Sequence, residues 1–443
     1  MISLSQQIAT QQSGAVLGAD NRKLLPEDLQ TTGVAPIITP DTRIAVKLHD
    51  PLGVIRAMAA LDGQVAAILL LSHALPSETA LALARSVNCT ILVQDEVTEA
   101  KAGILCVGLD DVLGSHRRSQ PLATDWLMTT SGTTGLPKIV PHTLRSLSRS
   151  VYRFTGPSRP VWGLLYDPTR FAGLQVVLQA LIGGGQLVAV DTTAPLGDQV
   201  ATLADNNCTH LSATPTLWRR LLMVPHYKRL SLKQITLGGE IADQSTLNAL
   251  RIAFPDARLS HIYASTEAGV GFSVTDGQAG FPLAYLEKAP GNVRMTIRDG
   301  VLWLRPPLTE LRPGLPGIET DAVGYICSGD RVSISNNRIV FLGRENGQIN
   351  IGGVKVYPET IEAVVKMVPG VALVKVSAKR SPVTGALVLA EIQLEAGVDA
   401  DKTRKRILEV CRASLDREAV PAIIRFVDGF QTNAAGKLMR TGA

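Results

Sequence analysis

Over most of the first 270 residues the apolar and polar positions alternate between two kinds of segment. Short apolar runs read as buried strands, and longer stretches with apolar residues three and four apart read as helices. Residues 42–48, 65–71 and 90–93 are expected strands, with helices at 51–61 and 76–87 between them. After a polar loop at 115–121 the rhythm resumes. Strands are expected at 161–165, 186–190, 210–213, 235–237 and 259–263, and helices at 171–181, 216–223 and 244–254. This βαβαβ succession predicts an α/β fold of mostly parallel sheets covered by helices.

From about Gly271 the pattern changes to short strands between turns, at 301–304, 324–327, 331–335 and 338–342. Asn336-Asn337 reads as a two-residue hairpin turn, since asparagine tolerates positive φ. Beyond Gly343-Arg344 comes a compact α+β order: helix 358–368, strands 371–377 and 387–394, helix 402–415 and strand 422–427. The expected organisation is a large domain over 1–342 with a small β-rich subdomain, a hinge at 343–346, and a small mobile α+β domain over 347–443.

Composition narrows the function by exclusion. A chain of 443 residues that is 45% hydrophobic can bury a sizeable core, which excludes disorder as the main state. The net charge of +5 is too small to mark a nucleic-acid binder. Residues 343–443 hold 15 Lys/Arg against 11 Asp/Glu, a face that is either simply solvated or meets an anionic partner. The longest apolar stretch, near 65–71, is too short to span a bilayer. Five scattered cysteines without CxxC spacing, and no secretion-signal layout at the start, make a reducing cytoplasm the expected compartment. The seven histidines show no HxxxH or HExxH spacing.

The strongest motif is Thr129-Thr130-Ser131-Gly132-Thr133-Thr134-Gly135-Leu136-Pro137-Lys138, directly after the apolar Trp126-Leu127-Met128. Two glycines let amide groups turn into one concavity, hydroxyls add donors, and Lys138 adds positive charge, a combination suited to a polyphosphate. It is not GxxxxGK[ST], because Pro137 precedes the lysine and no Ser/Thr follows it, which disfavours a P-loop kinase.

This segment resembles the phosphate-binding loop of the adenylate-forming superfamily of acyl- and aryl-CoA synthetases, peptide-synthetase adenylation domains and luciferases. Further motifs follow in that superfamily's order: Leu237-Gly238-Gly239-Glu240 resembles its adenine-binding strand end, Tyr263-Ala264-Ser265-Thr266-Glu267 its YGxTE, and Ser328-Gly329-Asp330 its TGD. Gly343-Arg344 opens a segment similar to its hinge motif, and Gly436-Lys437 with Arg440 resembles its GKxxR. The resemblance covers residues 125–440; the first 120 match only in their α/β rhythm.

What the resemblance implies is a two-step reaction. A carboxylate attacks the α-phosphate of ATP to give an acyl-adenylate and pyrophosphate, and a thiol or amine then displaces AMP. By the same resemblance Lys437 would stabilise the first transition state, Glu267 would hold Mg²⁺, and Thr266 would donate to the α-phosphate. Tyr263 would stack on adenine, Asp330 would accept from both ribose hydroxyls, and Arg344 would add a ribose contact. Gly352-Gly353 would let a pantetheine arm pass close to the backbone, or simply form a hairpin turn.

The chain departs from the superfamily pattern at three places. Asn346 stands at the hinge position usually Asp or Lys, Ala264 at the second position of YGxTE, and Asn433 where a Thr usually precedes the catalytic Lys. The expected acid pocket is lined by Tyr166, Arg170, Phe171, Gln175, Thr214, Gly238, His261, Ile262 and Gly269, a mostly small and apolar set that favours an aryl or medium acyl acid over a zwitterion. Arg170 has three readings: contact with a second polar group on the substrate, a cap on the following helix, or a pair with Asp167. His261 reads as a pocket wall rather than a base, because an ionised acid has no proton to lose.

The expected activity is therefore an AMP-forming carboxylic acid–CoA ligase using ATP, Mg²⁺ and CoA. The compact length resembles the shorter aryl- and succinylbenzoate-type CoA ligases, and the lack of an appended carrier domain also favours CoA. Transfer to an acyl-carrier-protein thiol or an amine is the second reading. A non-catalytic nucleotide-binding homologue is the third, which the presence of Lys437, Glu267 and Asp330 disfavours.

Overall fold

The computed structural model describes every residue except 1, 12–13, 19, 21, 98, 101–102, 131–136, 308–318, 352, 382–384, 432–437 and 439–443. Ser131, Gly132, Thr133, Thr134, Gly135, Gly352, Asn433 and Lys437 therefore lie outside the described residues.

Two large sheets form the first part. The six-stranded sheet runs Ile139–His142, Asp125–Thr129, Ala67–Leu70, Arg43–Lys47, Ile91–Gln94, Leu105–Val107. It is parallel except for its Ile139–His142 edge. The eight-stranded sheet runs Gly269–Val274, Arg258–Ser265, Gln234–Gly238, His210–Ala213, Val161–Leu164, Gln186–Ala189, Val16–Gly18, Lys23–Leu24, with both outermost pairs antiparallel.

The helices Pro51–Leu61 and Phe171–Leu181 lie in the core between these sheets. Both are apolar nearly all round, as a helix covered on every side must be. Asp50 starts the first by accepting from the amides of Leu52 and Gly53, and Pro51 follows where its missing N–H costs nothing. A second core covers the outer face of the eight-stranded sheet, under helices Leu196–Asp205, Pro215–Met223 and Gln244–Ala253.

A five-stranded sheet follows, in the order Phe281–Pro282, Arg338–Arg344, Ile326–Ser335, Val301–Arg305, Arg294–Arg298. The two strands expected at 324–327 and 331–335 are one strand, Ile326–Ser335. Gly329 at φ +68° and a register shift after Arg331 let the ladder absorb the Ser-Gly-Asp turn without ending. Asn336 and Asn337 both adopt positive φ and close the expected hairpin. The last strand of this sheet ends at Arg344, followed by the single turn Glu345–Gly347 that carries Asn346. Beyond it, helices Pro358–Val365 and Ala400–Ser414 and the sheet Val371–Ser381, Gly385–Leu394, Ile423–Phe426 enclose a separate core. No helix among the described residues is long and apolar enough to cross a membrane.

The N-terminal segment was not legible as structure, yet helix Leu4–Gln11 and strand Val16–Gly18 join the main core. One anchor is Asp62, which accepts from the Leu4 amide at 2.7 Å and from Trp126 Nε1 at 2.8 Å. Burial raises its carboxyl from 3.8 to about 6, against the pull of these two donors. The folded state therefore carries a cost for ionised Asp62 that is absent below the unfolded pKa and complete above pH 6. Relative to Asp62→Asn, wild-type stability should fall by about 1–2 kcal/mol between pH 5 and 7.5. Urea midpoints across that range test this; a pH-independent difference would show that Asp62 does not titrate there.

Candidate active site

In a parallel sheet the strand order reverses at a switch point, and ligands bind beyond the carboxyl ends of the strands there. In the eight-stranded sheet this point lies beside Val161–Leu164, whose neighbours Gln186–Ala189 and His210–Ala213 both follow it in sequence. Tyr166, Asp167 and Thr214 lie just beyond those ends, Gly238 closes its own strand, and Tyr263 to Ser265 end the next. Thr129, at the carboxyl end of a strand in the other sheet, is tied to this cluster through Arg170.

The base of the phosphate loop is built by pairing. Asp125–Thr129 and Ile139–His142 form an antiparallel ladder, and the Thr130 amide donates to the Lys138 carbonyl at 2.9 Å. Thr129 is buried. Arg170 Nη1 donates to the Thr129 carbonyl at 3.3 Å and lies 3.2 Å from its hydroxyl. Arg170 occupies the N-cap position of helix Phe171–Leu181 and its amide donates to the Asp167 carbonyl at 3.1 Å, but among the described residues its side chain neither caps that helix nor hydrogen-bonds Asp167. Its guanidinium instead clamps helix Phe171–Leu181 to the loop base. Burial lowers its pKa, and the Asp167 charge opposes that.

Asp167 Oδ1 accepts from the Thr169 amide at 2.9 Å and its hydroxyl at 2.6 Å, while the buried Oδ2 has no hydrogen-bond partner among the described residues. Gly173 packs against this turn so closely that a Cβ would stand 2.1 Å from the Asp167 carbonyl oxygen. Tyr166 is buried beside Asp167, and burial, with the Glu240 charge, pushes its phenol well above the usual range. Glu240 Oε2 accepts from the Thr216 amide at 2.9 Å, and the Thr214 hydroxyl caps the same helix by accepting from Leu217. Gln175 bridges to the preceding segment, donating to Leu147 O at 2.8 Å and accepting from Ser150 at 2.9 Å.

The nucleotide-side residues form a second group. The Tyr263 hydroxyl donates to Asp330 Oδ2 at 2.5 Å, and Arg344 Nε lies 3.0 Å from Asp330 Oδ1. The Asp330 amide donates to Ser328 Oγ at 3.0 Å, fixing the carboxylate's approach. Burial, the Asp330 charge and the hydrogen bond to Asp330 raise the Tyr263 phenol. Partial desolvation by the neighbouring protein acts to lower the pKa of the largely exposed Arg344, but the charges of Asp330, Tyr263 and Glu267 outweigh it, which places Glu267 in the same electrostatic neighbourhood. The Tyr263 ring stacks on Phe272 and Phe341, with centroids 5.3 and 5.1 Å away.

Thr266 and Glu267 are half-buried at the tip between strands Arg258–Ser265 and Gly269–Val274, where Gly269 takes φ +71° and the Ala268 amide donates to Ser265 Oγ. Ala264 and Ile262 lie along the first of these strands, and Gly239 turns at φ +80° beside Gly238. His261, two residues before Tyr263 on the same strand, has Nε2 3.0 Å from the Gln278 carbonyl. Burial keeps its pKa low, with Asp276 and Arg338 close by. Gly353, at φ +94°, is exposed in the turn joining Ile349–Ile351 to Val354–Val356, so the hairpin conformation is present there. Among the described residues no group of three or more His, Cys, Asp or Glu could hold a metal ion.

One residue of this neighbourhood was missed. His142, on the strand returning from the phosphate loop, reaches the Thr266 carbonyl at 2.8 Å. Its only sequence signal is a lone histidine four residues after Lys138, which metal-spacing rules do not register.

The family model described as AMP-binding enzyme matches residues 37–301, and that described as AMP-binding enzyme C-terminal domain matches residues 360–437. The 2-succinylbenzoate–CoA ligase of Bacillus velezensis is 27% identical over 337 residues, covering 72% of this chain and 68% of the ligase. A probable non-canonical nonribosomal peptide synthetase of Salinispora arenicola is 26% identical over 347 residues, covering 71% of this chain. That stretch is only 4% of the synthetase's length. The o-succinylbenzoate CoA synthetase of Bacillus subtilis, solved with its acyl-adenylate intermediate, superposes with TM-score 0.73 and 20% identity over 99% of this chain and 97% of the synthetase.

Proposed function

Because the chain belongs to the AMP-binding enzyme family, we propose that it is an AMP-forming carboxylic acid ligase with CoA as acceptor. The observation that carries this reading is the convergence of Tyr263, Asp330 and Arg344 with the Thr266–Glu267 tip beside the base of the phosphate loop. A carboxylate oxygen of the acid attacks the α-phosphorus, the bond to pyrophosphate breaks, and a mixed anhydride with AMP forms. The thiolate of CoA then attacks the acyl carbon and AMP leaves.

Each step needs the chain to hold one part in place. Asp330, already oriented by Ser328, has the acceptor oxygens for the ribose hydroxyls. The loop base and Lys138 would bind the phosphates, and Lys437, by its match to the GKxxR motif, would supply positive charge for the α-phosphate. Glu267 would hold Mg²⁺ through its carboxylate, a hard oxygen ligand of the kind that ion prefers. When bound there, the ion supplies charge neutralisation. The acid would lie near Tyr166, Phe171 and Ile262, with Arg170, held on Thr129, on the loop side. Similarity to the Bacillus ligase supports CoA, and the peptide-synthetase match supports a carrier-protein thiol as the second reading.

Carboxylate-dependent ATP–pyrophosphate exchange tests the reading, with benzoates, fatty acids, dicarboxylic acids and amino acids as the panel. Exchange with one class, reduced by at least about 10²-fold in Lys437→Ala, is the expected outcome. No exchange with any acid, despite ATP binding, would overturn the enzyme assignment. CoA and a phosphopantetheinyl carrier, supplied to the loaded enzyme, then separate the two acceptors.

A further inference from the structure

The two halves of the candidate site hang from different sheets. The phosphate-loop base belongs to the six-stranded sheet, whereas Thr266 and Glu267 sit at an edge hairpin of the eight-stranded one. His142 crosses between them. Its Nε2 lies 2.8 Å from the Thr266 carbonyl oxygen, and its Nδ1 lies 3.4 Å from Ser146 Oγ. A carbonyl only accepts, so Nε2 carries the hydrogen and donates it.

The ring is mounted rigidly. His142 is only 9% exposed and stands opposite the fully buried Trp126 in the ladder, and Trp126 is in turn bonded to Asp62. Phe171 packs near it, with ring centroids 6.0 Å apart. The receiving side is also closed, because the Ala268 amide donates to Ser265 Oγ across the hairpin tip. The peptide leading from Thr266 into Glu267 is thus held from the strand that returns from the phosphate loop.

We propose that His142 is a positioning residue for the adenylation step, one that fixes the Thr266–Glu267 peptide relative to the base of the phosphate loop. This rests on the ligase reading above. It acts through orientation: without the Nε2–H donor the tip can rotate its hydroxyl and carboxylate off the nucleotide phosphates. A misplacement of about 1 Å at such a site is enough to slow the chemistry by about 10²-fold. The amide of glutamine can place an N–H near the position of imidazole Nε2, whereas alanine cannot.

The experiment compares wild type, His142→Ala and His142→Gln by two readouts. The first is pyrophosphate exchange, resolved into kcat and KM for the acid. The second is calorimetric binding of ATP with and without Mg²⁺, which needs no acid and no turnover. His142→Ala should lose about 10²-fold in kcat with KM for the acid little changed, and should bind ATP about tenfold more weakly only when Mg²⁺ is present. His142→Gln should recover both to within about fivefold, with melting temperatures of the two variants within about 4 °C of each other. Glutamine no better than alanine, or losses that follow melting temperature alone, would overturn the proposal. A wild type inactive on every acid would overturn the ligase reading instead, and the Mg²⁺-dependent binding would still decide the role of His142.

Discussion

Asp330→Ala should reduce kcat/KM for ATP by about 10²-fold or more, mainly through KM, while leaving the fold intact. The carboxylate accepts from Tyr263 at one oxygen and pairs with Arg344 at the other. Hydrogen bonds to a charged group contribute about 1.5–3 kcal/mol each, so losing the bonds to a nucleotide sugar accounts for the expected factor. Stability should drop less, by about 1–3 kcal/mol, because the main loss is the partner of the Tyr263 hydroxyl. Arg344 is 60% exposed in its side chain and can return to water. The discriminating measurement uses 2′-deoxy-ATP. Wild type should prefer ATP, and Asp330→Ala should lose most of that preference. A variant that discriminates as well as wild type would remove Asp330 from the ribose contact.

Asp243→Ala is expected to destabilise the fold by roughly 3–5 kcal/mol. Asp243 is 7% exposed and lies 3.3 Å from Arg219 Nη2 and 3.4 Å from Lys366 Nζ. It also caps helix Gln244–Ala253 by accepting from the Thr246 amide at 2.9 Å. Burial alone would raise its carboxyl, but the charges of Lys366 and Arg219, with the hydroxyl and amide donors, hold it far below the carboxylate range. Removing the carboxylate strands two cations and uncaps the helix.

The cluster also joins two parts of the molecule. Lys366 belongs to the segment with the separate C-terminal core, and Arg219 Nη1 donates to Ala372 O at 3.3 Å in that same segment. Lys366→Met should therefore cost less, since Asp243 keeps Arg219, Ser245 and Thr246, and it should loosen the hold on the C-terminal part. Chemical denaturation of both variants checks the order. The carboxyl's folded pKa is depressed, so its contribution is complete above the unfolded value near 4 and disappears as pH falls below it. The gap between wild type and Asp243→Ala should narrow in acid, and a gap that is constant or widens there would rule out the charge cluster as its source.

The sequence by itself determined the elements and the chemistry that sit on short stretches of chain. Helices 51–61 and 171–181 and strand 210–213 could be read to their ends, because apolar periodicity, caps and prolines act over a few residues. The phosphate-loop composition, the Tyr263–Glu267 run and the Ser328–Asp330 turn were legible for the same reason. Tertiary structure decided what joins them. Val16–Gly18 pairs with Leu187 and its neighbours across some 170 residues, a choice set by the open edge of a sheet rather than by the strand's own pattern. Arg170 had three plausible partners in sequence and found another, Thr129, because the packing of its helix aims it at the loop base. His142 meets Thr266 across 124 residues, Tyr263 meets Asp330 across 67, and Lys366 meets Asp243 across 123. Such pairs leave no periodic trace, because a polar side chain's partner depends on which surfaces the hydrophobic cores bring together.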